Sequence, residues 1–321
     1  MSTSVPLQDY AERYLVERHQ LGYGLGNRYA IRSFARYVDG LDHEGPLTVE
    51  LMVSWAQCAK TNSDNPTTWA RRLKALRPFV RWLKQYEPRH DVPDDTLFGR
   101  VDRRLAPHIY SEQEIIDLLM AARRLHPVLR GATYETLFGL LAATGLRVSE
   151  AVHLMDADVD LKAGLLFVRQ TKFAKSRQVP LHPSTTKALR RYRELRNRQV
   201  EVAEEMPFFV GTRGQRRGYT LGLRQVRRVF ITLREQLGWI NRGAHAAPRI
   251  HDLRHTFVVR RILLWQAQGV DVDQAMLSLS TYVGHAKITN TYWYLTGVPD
   301  LMAVAAAQFE AIASRLEVHH G

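Results

Sequence analysis

The sequence predicts a mainly α-helical protein with a small β-sheet, organised as two domains. The chain has 321 residues, which is long for one domain and comfortable for two. Apolar residues recur at helical spacing through most of the sequence, and strand-like runs occur only within residues 160–181. Hydrophobic residues make up 45% of the chain and charged residues 24%, which is typical of globular proteins and excludes a largely disordered chain.

The first domain, residues 1–88, is predicted to contain four helices. Residues 7–38 have the pattern of a helix, a glycine-rich turn and a second helix. A third helix over residues 48–60 has Thr48 as its N-cap, and a fourth covers residues 67–86. Beside its apolar stripe, the fourth helix carries six cations and no acid: Arg71, Arg72, Lys74, Arg77, Arg81 and Lys84. We therefore expect one face of this helix to pack and the other to meet phosphates.

A linker rich in proline, aspartate and arginine is predicted over residues 89–108. The second domain follows over residues 109–298, and residues 299–321 have the apolar spacing of a C-terminal helix. This division gives the second domain most of the excess positive charge.

The second domain is predicted to be helical around a small antiparallel sheet. Residues 111–114 form a capping-box pattern at the start of its first helix. Residues 134–144 are nearly all apolar and predict a buried helix. Residues 165–168 and 178–181 predict two strands around a turn, and helices resume at residue 185.

The charge balance indicates the class of partner. There are 45 Lys and Arg residues against 32 Asp and Glu, a net charge of +13 with an isoelectric point near 10.0. Such a surface attracts nucleic acid first and an anionic membrane second, but no apolar run is long enough to span a bilayer. The single cysteine, Cys58, excludes a disulfide framework and a cysteine-based zinc site. We expect a cytoplasmic protein that binds nucleic acid and not membranes.

Four short stretches place a cation, an imidazole or a phenol beside small or turn-forming residues. They are Ala143–Glu150, which contains Arg147, then Gln170–Lys172, His251–His255, and Gly284-His285 followed by Tyr294. Alone, each stretch is weak evidence, because single arginines and lysines on a surface are usually solvated or ion-paired.

His251 and His255 lie four residues apart, a spacing that can bind zinc from one helix face. Asp252 stands where the zinc protease pattern has glutamate, and Arg254 would oppose a metal ion between the two ligands. The alternative interpretation makes His255 a buried, hydrogen-bonded core histidine, since the following residues are apolar. Neither a metal nor a cofactor is expected.

Together, the order and spacing of these residues resemble the tyrosine recombinase family of phage integrases and Xer-type proteins, over essentially the whole chain. The family carries a Thr-Gly-x-Arg-x-x-Glu stretch, a lysine on a β-hairpin turn, a His-x-x-Arg-His box, and a Gly-His followed nine residues later by a nucleophilic tyrosine. The matching positions are Arg147, Lys172, His251, Arg254, His285 and Tyr294. Tyr292 lies two residues before Tyr294, and the nine-residue spacing from His285 favours Tyr294 as the nucleophile.

The resemblance implies strand cleavage through a 3′-phosphotyrosyl link, without a metal ion. Arg147 and Arg254 suit a phosphate clamp because guanidinium groups hold two oxygens and stay charged. His285 and His251 would add hydrogen bonds to the phosphate. We expect His251 to help remove the Tyr294 proton and Lys172 to protonate the leaving 5′ oxygen.

Two segments of the second domain are almost purely cationic: residues 169–198 carry ten Lys and Arg against one acid, and residues 213–234 carry seven arginines and none. Such segments are expected to follow the phosphate backbone of double-stranded DNA. The predicted DNA-contacting side chains of both domains are Arg71, Arg72, Lys74, Arg77, Lys175, Arg177, Arg213, Arg216, Arg217 and Arg224.

The resemblance also implies a homo-oligomer, a tetramer on two paired sites, in which residues 299–321 contact a neighbouring subunit. The alternative for these residues is a helix that folds back on its own domain. Related recombinases are further possible partners. The pattern around Tyr292 and Tyr294 is similar to recombinases of bacterial mobile elements, which carry out DNA integration, excision or transposition. Two alternatives stay open from the sequence: a type IB topoisomerase-like enzyme that relaxes DNA, and a noncatalytic accessory DNA-binding protein.

Overall fold

The computed structural model describes residues 5–58, 66–94, 96–99, 105–169, 176–203, 205–214, 217–285 and 287–297. The chain forms two compact units, Met1–Arg103 and Arg104–Gly321, so the division falls within the predicted linker segment. In the described ranges, every helix is too short or too polar to cross a lipid bilayer.

The first unit contains the four predicted helices. They are α1 (Leu7–Gln20), α2 (Arg28–Asp39), α3 (Val49–Gln57) and α4 (Pro66–Leu83). Thr48 caps α3, since its hydroxyl accepts a hydrogen bond from the Leu51 amide at 3.3 Å. The apolar stripe of α4 packs against the other helices, and its Leu76 and Phe79 are fully buried. The last helix ends at Leu83, three residues before the predicted end.

The second unit is mainly helical. Its helices are α5 (Glu112–Arg123), α6 (Val128–Thr144), α7 (Val148–Val152), α8 (Pro183–Asn197), α9 (Leu223–Leu237), α10 (Asp252–Ala267), α11 (Val272–Val283) and α12 (Thr289–Gly297). The capping box of α5 is confirmed: the Glu114 amide donates to the Ser111 hydroxyl, and the Glu114 carboxylate accepts from the Ser111 amide.

A small antiparallel sheet of strands β1 (Val159–Asp160), β2 (Leu165–Val168) and β3 (Arg177–Pro180) lies in the second unit. Leu166 of β2 pairs with Val179 of β3, and both side chains are buried. Strand β2 has the predicted bounds, and β3 begins and ends one residue earlier than predicted. Strand β1 was not predicted, because two residues are too few to show an alternating pattern.

Two buried clusters organise the second unit. Helix α6 runs through the larger one, where Leu137 and Phe138 are fully buried. The prediction of a buried helix here is confirmed, although α6 begins six residues earlier. Apolar side chains of α10, α11 and α12 form the smaller cluster, which includes Val258, Met276 and Tyr294. The end of α6 lies beside this smaller cluster, since Gly145 approaches Phe257, and the end of α11 contributes Val283 to it.

Candidate active site

The backbone at the end of α6 holds Arg254. Gly145 ends that helix in the left-handed conformation, with φ of 63°. Its carbonyl oxygen accepts a hydrogen bond of 2.6 Å from Nη1 of Arg254. A Cβ atom at Gly145 would lie 2.6 Å from Cδ1 of Phe257, so both the conformation and the space require glycine.

A second glycine carbonyl holds Arg147 in the same way. Gly284 ends α11 with φ of 71°, and its carbonyl oxygen accepts a hydrogen bond of 2.8 Å from Nη2 of Arg147. A Cβ atom at Gly284 would lie 2.6 Å from Nη1 of Arg177. These two carbonyl contacts join three of the stretches that the sequence singled out, and each contact spans more than a hundred positions of the chain.

Glu150 links two arginines beside this junction. Its carboxylate accepts hydrogen bonds from Nη1 of Arg147 at 2.7 Å and from Nη2 of Arg177 at 2.8 Å. Burial alone would raise the pKa of Glu150, but the hydrogen bonds and charges of Arg177 and Arg147 outweigh it and lower that pKa. The carboxylate is therefore ionised and fixes the orientation of both guanidinium groups.

The prediction that Arg177 contacts DNA needs correction. Its guanidinium is nearly buried, with 10% of the side chain exposed. Besides Glu150, it donates to the carbonyl oxygen of Tyr282 at 2.8 Å. We therefore assign Arg177 a structural role in orienting Glu150.

Arg254 is a buried cation with a free donor. Its side chain is 2% exposed, and its Nη2 atom has no hydrogen-bond partner in the part of the chain that the structure describes. Burial and the charge of Arg147 lower the pKa of Arg254 to about 10, so the group stays charged at neutral pH. A buried charged donor without a partner is costly, and a phosphate oxygen would satisfy it.

The Tyr294 hydroxyl lies 2.7 Å from Nδ1 of His255, and the tyrosine is 2% exposed. The sequence predicts His251, not His255, as the group that helps to remove the Tyr294 proton. Instead, the His251 ring lies one helical turn away, with its centroid 4.9 Å from that of His255. Surrounding protein and the charges of Arg254 and Arg249 lower the pKa of His251 to about 4, although part of its ring reaches solvent.

His255 was interpreted as a core histidine, and the structure shows why its role was missed. Its ring is half-buried and hydrogen-bonded, as that interpretation required, but the partner is the candidate nucleophile. Nothing in the sequence indicates which residue of α12 would reach α10. The contact between His255 and Tyr294 becomes apparent only from the packing of α10 against α12.

His285 completes the cluster around the tyrosine. Its Nδ1 atom lies 2.7 Å from the hydroxyl of Thr291, which is fully buried in α12. The rings of His285 and Tyr294 stack with centroids 6.4 Å apart. Tyr292, the alternative nucleophile, instead donates a hydrogen bond of 3.4 Å to Asp273.

The other predicted DNA contacts fall into three groups. Lys175 and Arg216 lie outside the described residues, as does the predicted catalytic residue Lys172. Side chains that reach solvent are those of Arg71, Lys74, Arg213, Arg217 and Arg224. Arg77 is half-buried, as is Arg72, whose guanidinium lies 4.1 Å from the centroid of the Trp55 ring.

Part of the cationic segment over residues 169–198 has acidic partners elsewhere in the chain. Arg196 is fully buried and donates to Asp156 at 2.6 Å, and Arg193 donates to the same carboxylate at 3.1 Å. Arg169 is paired with Asp158. The expectation that this whole segment follows DNA is therefore wrong for these arginines, because the neutralising acids lie outside it in sequence.

The described residues contain no group of three or more His, Cys, Asp or Glu side chains arranged to hold a metal ion. The zinc interpretation of His251 and His255 also conflicts with the contact described above. Nδ1 of His255 faces the hydroxyl of Tyr294 and lies in a cluster that includes two arginines.

Comparison with known proteins shows the family to which the chain belongs. The sequence model of the phage integrase family matches residues 110–297. The chain is 36% identical to y4rB of Sinorhizobium fredii, named as an integrase/recombinase, over 93% of this chain and 95% of y4rB. It is 30% identical to the tyrosine recombinase XerC of Thermodesulfovibrio yellowstonii, over 71% of this chain and 70% of that protein.

Solved structures share the two-domain fold. The Tn1549 transposon integrase in complex with transposon right end DNA aligns with a TM-score of 0.65 at 17% identity, covering 96% of this chain and all of that one. The lambda integrase tetramer bound to a Holliday junction aligns with a TM-score of 0.62 at 17% identity, covering 89% of this chain and 79% of that one. From the family match and the full-length relative, the chain belongs to the phage integrase family and is a tyrosine-type site-specific DNA recombinase.

Proposed function

We propose that Tyr294 is the nucleophile of this recombinase and that Arg147 and Arg254 bind the phosphate it attacks. The observation that carries the proposal is the buried Nη2 donor of Arg254, which has no hydrogen-bond partner among the described residues and belongs to a guanidinium that interacts electrostatically with Tyr294. Attack by the phenolic oxygen leaves a 3′-phosphotyrosyl link and a free 5′ hydroxyl. Attack on that link by the 5′ hydroxyl of another strand rejoins DNA without ATP.

The two arginines supply the electrostatic part of catalysis. Each is held by a glycine carbonyl, so its remaining N–H groups are oriented before DNA binds. A phosphate between them would acquire additional negative charge in the transition state, and fixed guanidinium donors stabilise that charge without reorganisation. His285, oriented by Thr291, would donate to the same phosphate.

The leaving 5′ oxygen needs a proton, and Lys172 is the candidate donor by its place in the family motif. A lysine ammonium is suited to this step, because it carries protons and can approach the DNA on a flexible side chain. The reaction then needs no metal ion, and activity is expected to survive an excess of EDTA.

Exposed cations would hold the duplex against both units. Residues 1–88 would act as the core-binding domain through Arg71 and Lys74 on α4, and residues 109–298 as the catalytic domain. In the catalytic domain, α9 buries its apolar side and exposes Arg224, Arg227 and Arg228. Such contacts would give mostly sequence-independent, salt-sensitive affinity.

We assign the protein to a bacterial mobile element, where it would act in the cytoplasm as a tetramer on two paired sites. Support comes from the transposon integrase and the DNA-bound lambda tetramer that share its fold. Residues 299–321 would connect the subunits. Deleting residues 300–321 is expected to preserve binding to one site and to impair recombination between two sites, and unchanged recombination would contradict this role.

The nucleophile can be tested on DNA that flanks the gene. Purified protein is incubated with plasmids carrying either flank, and covalent protein–DNA complexes are trapped with detergent and mapped by sequencing. Wild type and Tyr292→Phe should form the complex, whereas Tyr294→Phe should bind DNA and form none. Tyr292→Phe is the matched control, since it removes the same atom two residues away. A complex that persists in Tyr294→Phe and is lost in Tyr292→Phe would contradict the assignment.

A further inference from the structure

The hydroxyl of Tyr294 contacts a histidine outside the six predicted catalytic positions. His255 follows Arg254 directly on α10, and its Nδ1 atom lies 2.7 Å from the phenolic oxygen. That distance is within the reach required of a group that removes a proton. The tyrosine is 2% exposed, so little water reaches its side chain, while His255 is half-buried.

We propose that His255 is the proton acceptor for Tyr294 and takes up the phenolic hydrogen on Nδ1 as the phenolic oxygen attacks phosphorus. The inference rests on the proposed function, because it takes Tyr294 as the nucleophile. The O–H bond of Tyr294 breaks as its bond to phosphorus forms. The bond from phosphorus to the 5′ oxygen breaks, and that oxygen receives a proton from Lys172. During rejoining, both protons return.

A phenol with a pKa near 10 is protonated at neutral pH, so the Tyr294 hydroxyl has a hydrogen to donate. In the tautomer that this role requires, His255 carries its own hydrogen on Nε2 and accepts on Nδ1. In this tautomer the lone pairs of the phenolic oxygen point away from His255, so they are available to attack a phosphorus atom.

Charge around His255 links its basicity to bound DNA. Burial, together with the smaller effects of the neighbouring groups His251, Arg249, Arg254 and His285, lowers the pKa of His255 to about 2. A phosphate bound by Arg147 and Arg254 would place a negative charge beside these cations. The phosphate therefore makes His255 a stronger base, and the nucleophile is activated only when the scissile phosphate is in place.

The opposite role for the hydrogen bond between His255 and Tyr294 is inhibitory: it would hold the tyrosine in an unreactive state. A hydrogen bond that is stronger in the free protein than in the transition state would slow cleavage, and its removal would accelerate the reaction. A proton acceptor is needed in the transition state, so its removal slows the reaction in both directions. The sign of the rate change therefore separates the two roles.

The test uses His255→Leu and His255→Asn in single-turnover cleavage of a nicked duplex that carries the mapped flanking site. Leucine removes the acceptor, whereas asparagine offers an acceptor oxygen near the Nδ1 position and cannot take up the proton. At neutral pH both variants should cleave at least about a hundredfold more slowly than wild type. Religation should slow by the same factor, since both directions share one transition state.

The pH profile distinguishes proton transfer from a structural role. In both variants the deficit should shrink as pH rises towards the phenol pKa of about 10, because the tyrosine then ionises unaided. DNA affinity and the thermal unfolding midpoint are measured in parallel. A deficit that does not change with pH, full activity in His255→Asn, or faster cleavage in either variant would overturn the proposal. If instead wild type forms no covalent complex, or Tyr294→Phe still forms one, the proposed function itself has failed.

Discussion

Nη1 of Arg254 donates a hydrogen bond of 2.6 Å to the carbonyl oxygen of Gly145, a residue 109 positions earlier in the chain. The contact joins Arg254, in the first turn of α10, to Gly145, the residue that ends α6. Because the donor is a buried cation and the acceptor is a carbonyl at a helix end, the contact also places a positive charge where a helix end is negative. Moving Gly145 would therefore move the guanidinium that we propose binds the phosphate.

Gly145→Ala should lower both stability and cleavage. An alanine in the left-handed conformation costs about 1 kcal/mol, and its Cβ would meet the Phe257 ring at 2.6 Å. The matched control is Gly238→Ala, since Gly238 ends α9 with φ of 60° and has open space around its Cα. Urea unfolding should show a larger loss for Gly145→Ala, and only that variant should cleave slowly. Equal losses of unfolding free energy and cleavage rate in the two variants would show that the close approach of Gly145 to the Phe257 ring does not matter.

Arg254→Lys should slow cleavage at least about a hundredfold, although it keeps the charge. A lysine has one ammonium group and cannot donate to the Gly145 carbonyl and to two phosphate oxygens in a fixed geometry. Loss of one such transition-state donor corresponds to about 2.7 to 4 kcal/mol. Arg123→Ala is the control, since Arg123 lies in an exposed pair with Glu135. Wild-type single-turnover rates in Arg254→Lys would contradict a bidentate phosphate clamp.

How far the sequence predicts this protein depends on whether a feature is local. Helix starts at Thr48 and Ser111 could be predicted because the cap and its partner lie within three residues. The contact between His255 and Tyr294 spans 39 positions, and the helix packing that creates it leaves no local pattern. The pairing of Arg196 with Asp156 was missed for the same reason.

Motif spacing predicts which residues form the candidate site, but it does not predict which groups orient their side chains. The sequence singled out Arg147, Arg254 and Tyr294 individually, yet the groups that orient the arginines are backbone carbonyls. A carbonyl oxygen has no residue type, so no composition or motif can indicate it. Gly145 and Gly284 lie within the stretches that the sequence singled out, but nothing in the sequence shows that their carbonyl oxygens accept hydrogen bonds from arginines.

Glu150→Gln should destabilise the protein at neutral pH by about 3 kcal/mol, because it leaves the nearly buried guanidinium of Arg177 and the partly buried one of Arg147 without this countercharge. The pKa of Glu150 is lowered in the folded state by Arg177 and Arg147 against the effect of burial. The carboxylate therefore contributes stability above the ordinary carboxyl pKa near 4.5, and this contribution disappears as pH falls through the folded value.

Unfolding free energies of wild type and Glu150→Gln should accordingly converge between pH 7 and pH 3. Glu12→Gln is the comparison, because Glu12 pairs with Arg32 at 2.7 Å but both side chains are largely exposed. That variant should lose well under 1 kcal/mol at any pH. A constant difference between wild type and Glu150→Gln over the whole range would show that the ion pairs contribute nothing.

Arg224→Ala and Arg177→Ala should separate DNA contact from structural support. Arg224 is exposed on α9, so its loss should weaken DNA binding at all sequences and reduce the salt dependence of affinity by about one counterion. Arg177 is bound to Glu150 and to the Tyr282 carbonyl, so its loss should lower the unfolding free energy and leave the salt slope unchanged. The measurements are affinity for a mapped site at several salt concentrations, and urea unfolding of the same preparations. If Arg177→Ala reduces the salt dependence of DNA affinity, Arg177 contacts DNA after all. If Arg224→Ala leaves that salt dependence unchanged, α9 does not contact DNA through this residue.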